Sequence, residues 1–282
     1  MAVNPTNFFD DLSLFFKEIE LSVEYREELF GRTYFLPSLA IQMHAISLSA
    51  FQGMKQELDE IAWQELMWSV WDKSNERICL WEDIWVKRQD WVKTYFLHRK
   101  QGIKSIFARD LRVIPLKKDQ VNNFLDQEHL LGAIKAKYYL GLVVPLHRQF
   151  RNITSDYVIE GQKLVGVAAF SKPIIMNEAG LEGQRSGELI RYCSIQGSRI
   201  VGGLSKVIQS YLTLEKVDNL MTYIDLEWNR GNGYQSIGFQ QVQITPPILF
   251  QLDAKANRAI TSSWDSADVC TLGNLKLRKY FS

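Results

Sequence analysis

Two polar residues of this sequence are of types that could accept a proton. Asp225 directly follows a predicted strand at residues 220–224, and ligands of open α/β sheets gather at the carboxyl ends of strands. A carboxylate there can take a proton directly or through water. His129 is the histidine best suited to the same role, because an imidazole titrates near neutrality. A structural role is equally open for His129, since a histidine at a helix end can fix a loop by hydrogen bonding.

A glycine-rich turn between a predicted strand and a predicted helix could bind an anion. Residues 188–193 are typical of a strand, Gly197, Gly202 and Gly203 follow, and apolar residues then recur at helical spacing. The start of such a helix has unpaired backbone N–H groups and the positive end of the helix dipole, which suit a phosphate. An ordinary tight turn without a ligand explains the same pattern, because short glycine motifs recur by chance.

The elements around this turn predict a mixed sheet flanked by helices. Residues 138–146 and 164–170 are expected to form an antiparallel pair, and residues 148–162 between them an insertion that is either a lid or a surface loop. Further strands are expected at residues 240–244 and 248–252 and in the C-terminal tail.

Two motifs resemble those of the GNAT acyltransferases. Arg199-Ile-Val-Gly202-Gly203-Leu204 resembles their pyrophosphate-cradling loop, although Leu204 stands where the family has a small residue, and Asn232-Gly-Tyr234 resembles a later segment. The resemblance implies that acetyl-CoA or a longer acyl-CoA is the cofactor. It implies the following cofactor-binding residues: Arg199, Val201, Gly202, Gly203, Leu204, Ser205, Lys206 and Asn232. It also implies that Tyr234 returns a proton to the leaving thiolate, while Asp225 takes one from the attacking amine.

From about residue 106 to the C-terminus, the chain is more similar to a phage and mobile-element family related to the DNA-modification protein Mom. The shared motifs are Glu-Leu-x-Arg-(Tyr/Phe)-Cys at residues 188–193 and Val-Gly-Gly-x-Ser-Lys at residues 201–206. This similarity implies an acceptor that is a nucleobase amine or another amine, on a small molecule or a peptide. Relatives commonly have Asp-Arg-Arg-Trp where this chain has Asp225-Leu-Glu-Trp228, so two cations that would hold DNA are missing.

Three further residues are expected to bind the substrate. Phe170-Ser-Lys172-Pro173 matches the same family and is expected to place Lys172 beside Arg191 on a neighbouring strand. Two cations near the cofactor loop could hold a phosphate or a carboxylate. The third residue is Trp228, just past the predicted strand at residues 220–224. A salt bridge with Glu188 or Asp225 would also explain the two cations.

The first 104 residues resemble the very-short-patch-repair class of restriction-like endonuclease domains, through a strand–helix–strand–helix order that ends in Leu-Trp-Glu82-Asp83-x-Trp. Such domains hold Mg²⁺ with paired carboxylates. No Asp or Glu lies between Leu36 and Gln56, where they are expected, and adjacent acids such as Glu82 and Asp83 are more often a solvated helix start. We therefore expect a nuclease-like scaffold that lacks its metal site, and no metal.

The predicted fold class is α/β, with a restriction-endonuclease-like domain at residues 1–104 followed by a GNAT-like mixed sheet flanked by helices at residues 105–282. Within the first domain, residues 8–30, 56–69 and 91–98 are expected to be helices, and residues 34–46 and 77–85 to contain buried strands. The basic segment at residues 99–104 is expected to link the domains.

Composition limits the classes of partner and compartment. The net charge of +1 over 282 residues excludes a polycation, so a nucleic-acid partner would need a local basic patch. Three widely separated cysteines suit a reducing compartment. The sequence lacks a signal-peptide pattern and an apolar run of membrane-spanning length, which predicts a cytoplasmic protein without a membrane partner.

Three functions are consistent with the sequence. The first is a GNAT-like N-acyltransferase that uses acyl-CoA. The second is a nucleic-acid-binding or processing module of a mobile element, with salt-dependent DNA contacts from residues 99–104 and from the tail residues Lys276, Arg278 and Lys279. The third is a structural or toxin–defence role with neither activity.

Overall fold

The computed structural model describes residues 7–70, 76–146 and 155–281, and the chain divides into two units that are each discontinuous in sequence. The first unit comprises Met1–Lys100, Ile224–Arg230 and Ile244–Leu275, and the second comprises Gln101–Tyr223, Gly231–Gln243 and Lys276–Ser282. The predicted boundary at residue 104 lies near one of these divisions. Segments 224–230 and 244–275, which we expected in the second domain, belong to the first unit.

The amino-terminal part of the first unit has a four-stranded sheet with helices. Its elements are α1 (Phe8–Glu18), β1 (Glu24–Glu28), β2 (Gly31–Leu36), β3 (Ile41–Ile46), α2 (Leu48–Met54), α3 (Glu60–Ser69), β4 (Glu76–Trp81) and α4 (Glu82–Gln101). The strand order is β1-β2-β3-β4. The pairs β1–β2 and β2–β3 are antiparallel, and β3 and β4 are parallel. Every residue of β3 is buried, as expected for a strand at the centre of a core.

The helix predicted at residues 8–30 is wrong in length, because α1 ends at Glu18. Glu20 has a φ of +51°, and the amides of Glu20 and Leu21 donate to the carbonyl oxygens of Lys17 and Phe16. This pair of hydrogen bonds around a left-handed residue is the Schellman arrangement that ends helices. Because the left-handed residue is a glutamate and not a glycine, the sequence gave no sign that the helix ends here. Strand β1, which follows, was therefore not predicted.

The predicted linker at residues 99–104 is divided between two elements. Arg99 and Lys100 lie in the last turn of α4, and Lys104 begins the next strand. The guanidinium of Arg99 lies 2.7 Å from a carboxylate oxygen of Glu76. The ammonium of Lys100 donates to the carbonyl oxygen of Ile19 at 2.5 Å. These side chains therefore make contacts within the first unit.

The remaining elements alternate strands with three helices. They are β5 (Lys104–Phe107), β6 (Arg112–Pro115), α5 (Lys118–Glu128), β7 (Tyr138–Val144), β8 (Val158–Ile159), β9 (Gln162–Phe170), β10 (Ile174–Ile175), β11 (Arg185–Ser194), β12 (Ser198–Val201), α6 (Gly203–Leu214), β13 (Asn219–Asp225), α7 (Asn232–Gln235), β14 (Gln240–Ile244), β15 (Leu249–Leu252), β16 (Arg258–Ile260), β17 (Val269–Cys270) and β18 (Asn274–Tyr280). Together with the first four strands, they make the chain a mixed α/β protein.

The largest sheet has nine strands, with seven in the order β14-β18-β13-β11-β9-β7-β6 and with β8 and β10 paired to β9 and β11. The predicted antiparallel pairing of β7 with β9 is confirmed. Of the predicted insertion, residues 147–154 lie outside the described residues, and β8 and the start of β9 follow them. Strands β5 and β12 form a separate parallel pair, and β15 pairs with β16 and β17.

Helices α5 and α6 cover opposite faces of this sheet. On one face, the ring of Tyr211 from α6 stacks on Phe170 of β9 at a centroid distance of 4.3 Å. On the other, Val121, Phe124 and Leu125 of α5 are fully buried. Among the described helices, none is long and apolar enough to cross a membrane.

Candidate functional site

The glycine-rich turn predicted from the sequence lies between β12 and α6. Gly202 precedes the first residue of α6 and has φ +77° and ψ +2°, a left-handed conformation that residues with a Cβ rarely adopt. It redirects the chain from β12 into a helix of 12 residues. The predicted helix after the glycine turn is confirmed. The strand that leads into the turn is β12, whereas the predicted strand at residues 188–193 lies in β11, one strand earlier in the chain.

The structure leaves no room for a side chain at position 203. A Cβ atom on Gly203 would lie 2.2 Å from the hydroxyl oxygen of Tyr192 and 2.6 Å from Cγ2 of Ile200. The Tyr192 hydroxyl is buried and has no hydrogen-bond partner within the described residues. Burial, followed by the proximity of Tyr234 and Cys193, raises the pKa of Tyr192. The start of α6 thus packs directly against a buried hydroxyl, a contact that the sequence did not reveal.

The first turn of α6 has unbonded backbone donors. The amides of Gly203, Leu204 and Ser205 make no hydrogen bond within the described residues, whereas the amide of Lys206 donates to the carbonyl oxygen of Gly202 at 3.1 Å. The positive end of the helix dipole lies at the same turn. This turn borders a surface groove of ≈ 480 Å³, which is lined by Phe107, Ala108, Arg109, Val201, Gly202, Ser205, Lys206 and Gln209.

The predicted cofactor-binding cations differ in their contacts. Arg199 is exposed on β12, on the same face as Val201. Lys206 is more constrained, because its Nζ donates to the carbonyl oxygens of Ala108 at 2.7 Å and of Leu111. Two of the three donors of that ammonium are therefore used within the protein. The ammonium group lies beside the groove, and its two hydrogen bonds fix the turn that contains Ala108.

Strands β11 and β13 separate beside this turn. They pair in parallel only over residues 186–188 and 219–221, although β11 continues to Ser194. A hydrogen bond from Thr222 Oγ1 to the carbonyl oxygen of Leu189, at 2.8 Å, bridges the strands where the ladder ends. The register of β11 against β9 shifts between Leu189 and Arg191. Past residue 189, the part of the chain that the structure describes provides no ladder partner for the edge of β11 that faces β13, so the backbone donors and acceptors of that edge can pair with a ligand.

The opposite face of β11 holds the loop that follows α5. The guanidinium of Arg191 donates to the carbonyl oxygen of Gly132, and the Cys193 thiol lies 3.4 Å from the carbonyl oxygen of Glu128. Burial lowers the pKa of Arg191 and raises that of Cys193. Cys193 is therefore a buried neutral thiol. Within the described residues, no salt bridge is found for Arg191.

His129 takes part in the structure of that loop. Its Nδ1 accepts a hydrogen bond from the amide of Leu131 at 3.1 Å, and its carbonyl oxygen accepts one from the amide of Gly132 at 2.9 Å. The Nδ1 lone pair is thus engaged, which places the ring proton of the neutral form on Nε2. This geometry favours the loop-fixing role for His129 over that of a general base.

Tyr234 lies near Tyr192 and Cys193. It belongs to the short helix α7, and its ring packs edge-on against Phe239 at 5.7 Å between centroids. Burial, followed by the nearby Cys193, raises the pKa of Tyr234 to about 12. Asn232, in the same helix, is exposed. The side chains of Tyr234, Tyr192 and Cys193 are therefore close enough to influence one another's pKa.

Asp225 belongs to the first unit. Its Oδ1 accepts a hydrogen bond from the amide of Glu227 at 2.9 Å, and its carbonyl oxygen accepts one from the amide of Asn229 at 3.0 Å. These are the contacts of a turn that follows β13. Burial raises the pKa of Asp225. The side chain therefore has a structural role in its own unit.

Trp228 is part of an aromatic cluster of the first unit. Its ring packs edge-on against Trp91 and Tyr95, in each case at 5.6 Å between centroids. Trp228 was predicted to bind substrate, but these contacts give it a packing role. A sequence pattern could not show this, because Trp91 and Tyr95 lie on α4, far away in the chain.

Lys172 does not lie beside Arg191. The amide of Ser171 donates to the carbonyl oxygen of Glu188, so antiparallel pairing places Lys172 opposite residue 187, about 13 Å along β11 from Arg191. The hydroxyl of Tyr211, late in α6, also donates to the carbonyl oxygen of Ser171 at 3.2 Å. Lys172 therefore lies near the carboxyl end of α6, away from the glycine turn at its start.

The acidic pair that follows β4 is not a solvated helix start. Asp83 is 2% exposed, and its two carboxylate oxygens pair with the guanidinium of Arg258 at 2.7 and 2.9 Å. Oε2 of Glu82 accepts a hydrogen bond from the amide of Leu48 at 2.8 Å, at the start of α2. Both acids thus stabilise the fold of the first unit. Within the described residues, no group of three or more His, Cys, Asp or Glu could hold a metal ion.

Glu227 lies in the same buried part of the first unit. It is 4% exposed, and its Oε1 accepts a hydrogen bond from Nε1 of Trp81 at 2.8 Å. Burial, followed by the charge of Asp225, raises the pKa of Glu227 to about 8. The nearby cation, Arg258, already pairs with Asp83, so Glu227 keeps its proton at neutral pH.

Comparisons with known proteins give a partial likeness of fold. No protein-family model matches the chain, and no curated protein sequence matches it. Among solved structures, the chain is similar to the NatC complex bound to Gag peptide and CoA, with 12% identity over 61% of this chain and 99% of the other and a TM-score of 0.36.

A Bacillus subtilis acetyltransferase in complex with CoA has 12% identity over 61% of this chain and 99% of the other, with a TM-score of 0.35. A histone acetyltransferase and related acetyltransferase of Corynebacterium glutamicum has 10% identity over 61% of this chain and 97% of the other, with a TM-score of 0.34. Likeness at this level establishes no activity.

Three residues of the second unit were missed by sequence reasoning. Tyr192 was treated only as part of a strand, yet its hydroxyl packs against Gly203. Phe107 and Arg109 were not singled out at all, yet both line the groove beside the glycine turn. Their positions follow from the pairing of β5 with β12, which joins segments about 90 residues apart in sequence.

Proposed function

We propose that the second unit is a GNAT-like N-acyltransferase that uses acetyl-CoA or a longer acyl-CoA. The observation that carries this proposal is the turn at Gly202, where three unbonded amides at the start of α6 border a groove. Such amides, together with the helix dipole, suit a diphosphate. The unpaired edge of β11, where it separates from β13, could hydrogen-bond an extended acyl-pantetheine arm.

In the proposed reaction, the acceptor amine attacks the thioester carbonyl carbon, a C–N bond forms and the C–S bond breaks. Tyr234 protonates the leaving thiolate, and its raised pKa keeps the hydroxyl protonated at neutral pH, as an acid requires. The sequence predicts Asp225, the last residue of β13, as the acceptor of the amine proton. Arg191 holds the loop from His129 to Gly132 through its hydrogen bond to Gly132.

The proposed acceptor is an amine, and a nucleobase amine is the first candidate because of the motifs at residues 188–193 and 201–206. A nucleic-acid-binding module without transferase activity has less support. Of the basic residues predicted to contact DNA, Arg278 is buried beside Glu178, at 3.2 Å. Lys279 donates to the carbonyl oxygen of Ile237 at 2.5 Å, and Lys100 donates within the first unit.

Acyl-CoA binding can be tested by thermal unfolding. At 100 times its dissociation constant, a bound ligand stabilises a protein by about 2.7 kcal/mol, so we expect acetyl-CoA to raise the Tm by roughly 5–10 °C. Gly202→Glu should abolish the shift, because its carboxylate would occupy the anion site. Gly180→Glu is the matched control, since Gly180 also has a positive φ, of +80°, and open space around it. Absence of a shift with every acyl chain length would refute the proposal.

The acceptor and the role of Asp225 can be tested together by mass spectrometry of DNA, RNA and small molecules from cells that express the protein. Asp225→Asn removes the negative charge of the carboxylate but keeps an oxygen that can accept the hydrogen bond from the Glu227 amide. We expect the acylated product to disappear in this variant with the fold intact by circular dichroism. An unchanged product level would show that Asp225 only shapes the turn.

A further inference from the structure

An exposed aromatic ring lies beside the glycine turn with a cation over it. Phe107, the last residue of β5, is 45% exposed. The guanidinium carbon of Arg109 lies 5.1 Å from the centroid of its ring. A single exposed phenylalanine is ordinary at a protein surface. The guanidinium above the ring and the position of both in the groove distinguish this pair.

Strand pairing fixes the distance between this ring and the turn. Phe107 pairs with Val201 in the parallel register of β5 and β12, and paired residues of neighbouring strands lie about 5 Å apart. Val201 immediately precedes Gly202. The backbone of Phe107 is therefore about one strand spacing from the residue that precedes Gly202, and Phe107 and Gly202 line the same groove.

Lys206 holds the two parts of the groove together. Its Nζ, in the first turn of α6, donates to the carbonyl oxygen of Ala108 at 2.7 Å and to that of Leu111. Arg109 lies between these two residues, in a 3₁₀ turn at Ala108–Asp110. The Phe107–Arg109 pair is thus pre-positioned relative to the unbonded amides of α6.

We propose that Phe107 and Arg109 stack against the purine base of a nucleotide whose diphosphate lies on the amides at residues 203–205. This inference rests on the proposed function and makes it more specific. The acyl donor is then a nucleotide-linked thioester, and not a phosphopantetheine thioester carried on a protein, which has no base. The amides alone bind any phosphate, whereas the ring and the guanidinium recognise a planar base.

Isothermal titration of the full chain with CoA and with 4′-phosphopantetheine tests this assignment without knowledge of the acceptor. Because base–aromatic stacking adds substantially to affinity, we expect Phe107→Leu to weaken CoA binding about 10-fold and to leave phosphopantetheine binding unchanged. Phe107→Trp, which keeps an aromatic surface, should retain CoA binding. Arg109→Ala should weaken CoA binding less, and ADP should compete with CoA.

Each other outcome has a definite meaning. If the wild-type protein binds CoA and Phe107→Leu binds it equally well, the stacking assignment is overturned and the proposed function stands. Equal affinity of the wild-type protein for CoA and phosphopantetheine also overturns the assignment. If the wild-type protein binds neither compound, the proposed function itself fails.

Discussion

Gly202 and Gly203 meet different physical requirements at neighbouring positions. The first adopts a left-handed backbone conformation, and the second leaves room for the hydroxyl of Tyr192. The sequence predicted the turn from the glycines themselves, because both requirements exclude a Cβ. It could not distinguish the two roles, since the Tyr192 contact depends on how α6 packs on β11.

We predict that Gly203→Ala destabilises the protein by about 1–3 kcal/mol, the usual cost of adding a methyl group to a packed site. Tyr192→Phe should leave stability unchanged or raise it by about 1 kcal/mol, because the hydroxyl it removes is buried without a partner. The double variant should recover part of the loss, since Ile200 still crowds the new Cβ. Urea unfolding followed by circular dichroism measures the free energy of unfolding of each variant and hence the coupling between the two substitutions. Strictly additive effects would contradict the contact between Gly203 and the Tyr192 hydroxyl.

At the scale of elements, the strands and helices were predicted better than their ends. The strand predicted at residues 77–85 ends at Trp81, and α4 starts at Glu82. The pattern of apolar residues gave no sign of the change from strand to helix, because Ile84 and Trp85 of α4 are buried like the residues of β4. Asp83, in the first turn of α4, instead pairs with Arg258 of β16, so a long-range contact stabilises the start of this helix.

We predict that Arg258→Met destabilises the first unit by about 3–5 kcal/mol, because it leaves the buried carboxylate of Asp83 without its partner. Arg26→Met is the matched control: Arg26 pairs with Glu28 at the surface, where its side chain is 60% exposed, and its loss should cost less than about 1 kcal/mol.

Tryptophan fluorescence during urea unfolding is a suitable measurement, since the seven tryptophans that the structure describes all belong to the first unit. The double variant Asp83→Leu/Arg258→Met should be more stable than Arg258→Met alone. If Arg26→Met and Arg258→Met lower the free energy of unfolding equally, burial of the Asp83–Arg258 ion pair makes no difference to stability.

At the scale of the whole molecule, the chain returns to its first unit twice after leaving it. Segment 224–230 contributes Glu227 and segment 244–275 contributes Arg258 to the surroundings of Trp81 and Asp83. Three segments of sequence that each looked locally ordinary thus form one buried cluster of ionisable groups. The stability of the first unit should therefore depend on pH.

We predict that stability falls as pH rises from about 4.5 to about 8. The folded-state pKa of Glu227 is raised from 4.5 to about 8, so between these values the folded state holds a proton that the unfolded state has lost. The stabilisation is fully present below pH 4.5 and declines at up to about 1.4 kcal/mol per pH unit.

Glu227→Gln should flatten this dependence, because the amide is neutral at every pH and keeps an oxygen for the Trp81 indole. Urea unfolding at several pH values between 5 and 8, followed by tryptophan fluorescence, gives the slope for both proteins. An equal slope in the variant would show that Glu227 is not the titrating group.

The sequence by itself determined the local features, namely the glycine turn at Gly202, the helix after it and the antiparallel pair β7–β9. Each depends on backbone conformation or on periodicity among neighbouring residues. Only the tertiary structure decided that Lys172 lies far from Arg191, that Trp228 packs on α4 and that Phe107 borders the glycine turn. These positions depend on which strands pair and in which direction, and that choice depends on burial summed over segments distant in sequence.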